Sequence, residues 1–141
     1  MTTMNKARAL TMNDAALLLC AGSTVACVRL ALWLVPFGMV RRMTAWLGRR
    51  RNANGENLSA RQICRAVMIA SRFVPRATCL TQALAAEALL SRRGFTGTLC
   101  LGVKRDSVGF GAHAWLEDEK GEILIGHADM AQLQRLLPSA E

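Results

Sequence analysis

At Gly94 the spacing of apolar residues changes from the three- and four-residue steps of a helix to the two-residue alternation of a strand, which divides the chain into a helical front and a small sheet. Before that point four helices are predicted. Asn13 or Asp14 caps the first, which runs toward Pro36. The second, over 37–50, carries Val40, Met43, Trp46 and Leu47 on one face and arginines on the other. Ser59 opens the third, whose Ile63, Val67, Ala70 and Val74 share a face until Pro75. Thr78 is the N-cap of the fourth, which starts at Cys79 and ends at Gly94, a residue suited to the left-handed stop. After Gly94, three strands are predicted over 96–104, 109–117 and 122–125, forming an antiparallel meander against the Cys79 helix. Residues 129–137 read as a short terminal helix or coil with Leu133, Leu136 and Leu137 folded back. The fold class is therefore α+β.

At 141 residues the chain can build one real core. The polar, turn-rich stretch 51–57 divides it into a helical, basic region over 1–57 and a core over 58–141, expected to pack as one unit. The charge follows the same division. Up to Arg76 there are twelve Lys and Arg against Asp14 and Glu56, a net +10, whereas from Ala77 onward six basic residues face eight acids. A basic front suits an acidic peptide, anionic lipid or nucleic acid. With no Tyr, no zinc-ligand spacing and no RNA-binding signature, nucleic acid is the least supported of the three, and a solvated Arg-rich face is the simplest account. The five cysteines are odd in number, scattered and without a CxxC, which argues against a disulfide framework or metal site and for a reducing compartment. Cys20, Cys27, Cys64 and Cys100 have apolar neighbours and read as small core residues.

Residues 15–40 are apolar enough to raise membrane insertion. Lys6 and Arg8 precede the run as in a signal peptide, but no small-residue cleavage site follows. Arg29 interrupts it, leaving pieces shorter than the roughly 20 residues that span a bilayer. Buried helices covering the core are the favoured reading, with membrane contact through 15–40 as the alternative. If the run inserts, Arg41, Arg42 and Arg49 to Arg51 keep the remainder in the cytoplasm.

Cys79 stands in the first turn of its helix, and His113 lies 34 residues later inside the alternating segment Gly109-Phe110-Gly111-Ala112-His113-Ala114-Trp115. A thiol attacks as thiolate, and a helix N-terminus and a nearby imidazole both favour that form. Cys79 is thus the candidate nucleophile and His113 the general base. A third group must orient the imidazole. If Glu119-Lys120-Gly121 forms a three-residue loop with Gly121 left-handed, His113 faces His127, and Asp129 lies one pleat away on the same side. A longer loop puts Gly126 opposite His113. Asp129 is the preferred orienter and His127 the fallback; Glu117, four residues along the strand and roughly 13 Å distant, is too far. The amide of Cys79 is one oxyanion donor, Gln82 reads as an exposed helix residue, and Trp115 reads as core or as a wall of the site.

The segments Pro75-Arg76-Ala77-Thr78-Cys79-Leu80-Thr81-Gln82-Ala83-Leu84, Gly102-Val103 and Ala112-His113-Ala114-Trp115-Leu116-Glu117 resemble the lasso peptide leader peptidases of the transglutaminase-like superfamily. The resemblance covers roughly half of the chain, from Ser59 to about Asp129. It implies a transglutaminase-like, papain-like core and a cytoplasmic cysteine protease that removes the leader from a ribosomally made precursor. It also implies no cofactor or metal, a separate leader-binding protein as partner, and an ATP-dependent macrolactam synthetase that acts next. The matching residues place the nucleophile at Cys79 and the base at His113. Where family members carry an acid at the end of the strand after the His, this chain has Ile125-Gly126-His127-Ala128-Asp129. A transglutaminase-like acyl transferase would use the same residues, and a noncatalytic, membrane-associated adaptor would use Cys79 only as a core thiol.

Overall fold

The computed structural model describes residues 12–49, 58–107, 109–126 and 134–138. Four helices, α1 (Met12–Leu34), α2 (Phe37–Arg49), α3 (Ala60–Ser71) and α4 (Cys79–Arg92), precede four strands, β1 (Thr98–Asp106), β2 (Gly109–Glu117), β3 (Ile123–Ile125) and β4 (Gln134–Pro138). The α+β class expected from the sequence is what is found.

Helix α4 is the centre of the packing, in contact with α1, α2, α3 and the sheet. Its sequence explains why. Ala83, Ala85, Ala86 and Ala88 let neighbours approach closely, while Leu84, Leu89 and Leu90 fill the space between them. Full burial of each such Leu is worth about 1.5–3 kcal/mol. Helix α1 meets this core along one stripe, Leu17, Ala21, Val25 and Val28, spaced four, four and three apart. It ends where Pro36 interrupts the backbone, and the Pro36 carbonyl accepts from the amides of Met39 and Val40 to open α2. Helix α3 begins with a reciprocal cap: the Ser59 hydroxyl accepts from the Gln62 amide, and the Gln62 side chain accepts from the Ser59 amide. It stops at Ser71, four residues before the Pro75 expected to end it, and Arg72 to Arg76 form turns.

Helix α2 is tied to α4 by the Arg41 to Glu87 ion pair at 2.6 Å. Burial pushes the Glu87 carboxyl above its ordinary range, and Arg41 opposes that shift. Further along, Gly48 lies so close to α4 that an added Cβ would stand 2.6 Å from the Ser91 Cβ. Gly48→Ala is therefore expected to destabilise the protein by about 1–3 kcal/mol through overpacking, less about 1 kcal/mol of improved helix propensity. Urea unfolding checks this, and Ser91→Gly in the same chain should restore the loss.

The sheet has the order β3-β2-β1-β4, with every pair antiparallel. β1 and β2 pair without interruption from Thr98↔Glu117 to Asp106↔Gly109. The β2–β3 loop is the three-residue form expected, with Gly121 at φ +80° and the Asp118 amide bonded to the Glu122 carbonyl at 2.9 Å. The Asp118 carboxylate accepts from the amides of Lys120 and Glu122, which fixes the loop locally. A bulge between Leu116 and Glu117 then places Leu116 opposite Ile125, one residue beyond the uninterrupted count.

The terminal helix or coil expected over 129–137 is corrected by β4, which adds to the free edge of β1 with pairs Cys100↔Pro138, Leu101↔Leu137 and Gly102↔Arg135. The three-residue and adjacent spacing of Leu133, Leu136 and Leu137 imitates a helix over so short a run. The unpaired donors and acceptors along β1 decide otherwise. Pro138 is tolerated because β4 is an edge strand.

Candidate active site

Cys79 occupies the first position of α4 and is half-buried against the main core. Thr78 adopts extended backbone and its hydroxyl accepts from the Thr81 amide at 3.3 Å, a local cap that fixes where the helix starts. The buried Thr81 hydroxyl shares a second hydrogen bond with that of Thr78 at 3.1 Å. The amides of Cys79 and Leu80 precede the first intrahelical bond and find no acceptor among the described residues. They are free to donate to an oxyanion on an acyl group attached to the sulfur.

The chain enters α4 through Pro75-Arg76-Ala77, with Arg76 at φ +58°. That left-handed conformation costs a non-glycine residue about 1–2 kcal/mol. Gln82, expected to be exposed, is half-buried: its amide donates to the Ser71 hydroxyl at 3.0 Å, and that hydroxyl donates to the Met68 carbonyl. This link holds the end of α3 to the first turn of α4 and so sets the position of Cys79. Nothing in the spacing of the sequence marks it, because the partner is eleven residues away across a turn.

His113 is half-buried on β2, and its partner on β1 is the buried Gly102. Alternation along β2 sends Ala114 and Leu116 into the core shared with the helices, and His113, Trp115 and Glu117 to the other face. There Trp115, 2% exposed, packs with Cys100 and Ile123, and its indole N–H donates to the Glu117 carboxylate at 2.8 Å. α4 and β2 pack together, so Cys79 and His113, the candidate nucleophile and base, stand on adjacent elements. Among the described residues no hydrogen bond joins their side chains. Asp129 and His127, the two candidate orienting residues, lie outside the described residues.

The other cysteines separate from Cys79 by environment. All five are free thiols. Cys64 and Cys100 are buried, as expected, and burial pushes the Cys64 thiol up to about 11, which keeps it protonated and inert. Cys27, expected in the core, is exposed, because α1 is apolar on every side and only one of its stripes faces the other helices. Among the described residues no cluster of His, Cys, Asp and Glu is arranged to hold a metal ion.

A central helix that opens on a cysteine and packs on a four-stranded antiparallel sheet, with a histidine on the second strand, defines an α+β fold with a helix-covered sheet. The family model described as Transglutaminase-like superfamily matches residues 21–138, and the chain belongs to that superfamily. No curated protein and no solved structure matches the chain. The superfamily includes cysteine proteases and acyl transferases.

Proposed function

We propose that this protein is a cysteine peptidase that removes the leader from a ribosomally synthesised lasso peptide precursor. The observation that carries the reading is Cys79 at the capped start of α4, within the Arg-Ala-Thr-Cys-Leu and His-Ala-Trp segments of a transglutaminase-like chain. The Cys79 thiolate attacks the scissile carbonyl while the amides of Cys79 and Leu80 take up the developing oxyanion. His113 passes a proton to the leaving amine, and a thioester to the N-terminal fragment remains. Water, deprotonated by His113, then hydrolyses the thioester and regenerates the thiol. Asp129 orients the imidazole in this scheme.

Both proton transfers require the imidazole within hydrogen-bond reach of sulfur, so the mechanism needs His113, carried on the face of β2 away from the helices, to swing toward the start of α4 when substrate binds. The partners are the precursor leader, a separate leader-binding protein that presents it and, downstream, the ATP-dependent macrolactam synthetase. The work is done in the cytoplasm.

A second reading, a noncatalytic adaptor, is favoured by one feature: alternation sends His113 to the face of β2 away from the helices. A transglutaminase-like acyl transferase would differ only in letting an amine take the place of water. Purified protein incubated with a leader-bearing precursor and its leader-binding protein, with and without a primary amine, separates the three by mass spectrometry. Two fragments adding up to precursor plus water support the peptidase. An amide to the added amine identifies the transferase, and unchanged precursor the adaptor.

A further inference from the structure

Helix α1 has more apolar surface than the fold uses. Its stretch 14–34 is long and apolar enough to cross a membrane, with an 18-residue window of mean hydropathy 1.9, yet only 22% of that window is buried. The stripe Leu17, Ala21, Val25 and Val28 is committed to the core with α3 and α4, so insertion as a span would strip those contacts from the protein. A span would also carry Arg29 into the hydrocarbon, at a cost of about 2.5–3.5 kcal/mol near the bilayer centre. The surplus is concentrated instead at the corner where α1 meets α2: Leu30, Trp33 and Leu34 are 56%, 77% and 71% exposed, and Phe37 and Met39 continue the patch. Isolated exposed apolar residues are ordinary, but a cluster of this size marks an interaction surface.

The charges beside the patch identify the partner. Arg29 and Arg76 line one surface cleft of about 380 Å³ with Leu30, Trp33 and Pro75, and no acidic residue lines it. Among the described residues neither arginine makes an ion pair. Helix α2, on the other side of the corner, contains no acid and exposes Arg42 and Arg49. An aromatic and aliphatic tip flanked by unpaired guanidinium groups matches the layered chemistry of a bilayer surface, apolar below and phosphate above.

We propose that the α1–α2 corner docks peripherally on anionic phospholipid membranes, with Trp33, Leu34 and Phe37 entering the headgroup–acyl boundary and Arg29 and Arg76 holding lipid phosphates. The surface does not depend on the Cys79 chemistry, so it is tested by binding alone. Full-length protein is sedimented with vesicles of phosphatidylcholine, and with vesicles of phosphatidylcholine mixed with phosphatidylglycerol. At about 1 kcal/mol per basic residue near the surface, two arginines give a preference for the anionic vesicles of at least about tenfold, weakened by salt. Trp33→Ser with Leu34→Ser, both at exposed positions, should lower binding by at least tenfold with unchanged circular dichroism, as should Arg29→Gln with Arg76→Gln. Brominated acyl chains should quench tryptophan fluorescence in the parent protein and lose most of that effect in Trp33→Phe. Equal binding to both vesicle types, no quenching, or full binding by the Trp33 and Leu34 variant would overturn the proposal. So would retention after alkaline carbonate extraction, which identifies a span, or loss of a protein partner by the same variant in the absence of any vesicle binding.

Discussion

Cys79→Ala is expected to lower cleavage of a leader-bearing precursor by at least about 10³-fold while leaving the protein folded. The sulfur forms the covalent intermediate, and alanine offers nothing in its place. Alanine is at the same time an excellent helix residue, and Cys79 is only half-buried, so the change in stability should stay within about 1 kcal/mol. His113→Ala should cost about 10²–10⁴-fold, the usual range for a positioned acid and base. The double variant should be no worse than the more damaged single variant, because the two groups act as one unit. Asp129→Ala should reduce cleavage more modestly. Turnover by quantitative mass spectrometry, paired with circular dichroism, reads all four. Multiplicative losses in the double variant would mean that cysteine and histidine work separately, and full cleavage without Asp129 would remove it from the mechanism.

Trp115→Ala should produce the largest loss of stability of any single substitution considered, about 3–5 kcal/mol, as expected for a large buried aromatic. Its ring is the bulk of the small cluster with Cys100 and Ile123 on the His113 face of the sheet, and its N–H satisfies the buried Glu117 carboxylate. Against a typical domain stability of about 5–15 kcal/mol, that loss consumes a large share. Trp115→Phe separates the two contributions: it keeps most of the ring but removes the donor to Glu117, for about 1–3 kcal/mol. Urea unfolding at neutral pH measures both. A loss below about 1 kcal/mol for Trp115→Ala would show that the ring is a replaceable wall and not core.

Much of this was readable in the sequence because it is local chemistry. The Thr78 cap needs only a hydroxyl and an amide three residues on, so Cys79 at the first helical position follows directly from neighbouring residues. The alternation through Ala112, Ala114 and Leu116 marks β2, whose observed limits, Gly109–Glu117, coincide with those expected. Gly121 fixes the β2–β3 loop because a left-handed position favours glycine. The features that escaped depend on distant partners. β4 forms because β1 has an open edge, which a five-residue run cannot announce. The bulge at Leu116 and Glu117 shifts the register by one residue within a loop-and-strand pair that otherwise meets the expectation. Cys27 is exposed although its neighbours are apolar, since the face it occupies is decided by which stripe of α1 the other helices choose. The Gln82 to Ser71 bond depends on a turn, Arg72 to Arg76, whose last residue takes the left-handed conformation.

The pairing of sulfur and imidazole is open to direct measurement through the rate of alkylation by iodoacetamide, followed site by site with peptide mass spectrometry. Exposed Cys27 is the internal standard for an ordinary accessible thiol, and buried Cys64, pushed up to about 11, is the unreactive one. At neutral pH Cys79, although less exposed than Cys27, should react at least about tenfold faster, and His113→Ala should abolish that excess. Equal rates at Cys79 and Cys27, or an excess at Cys79 that persists without the imidazole, would contradict the account.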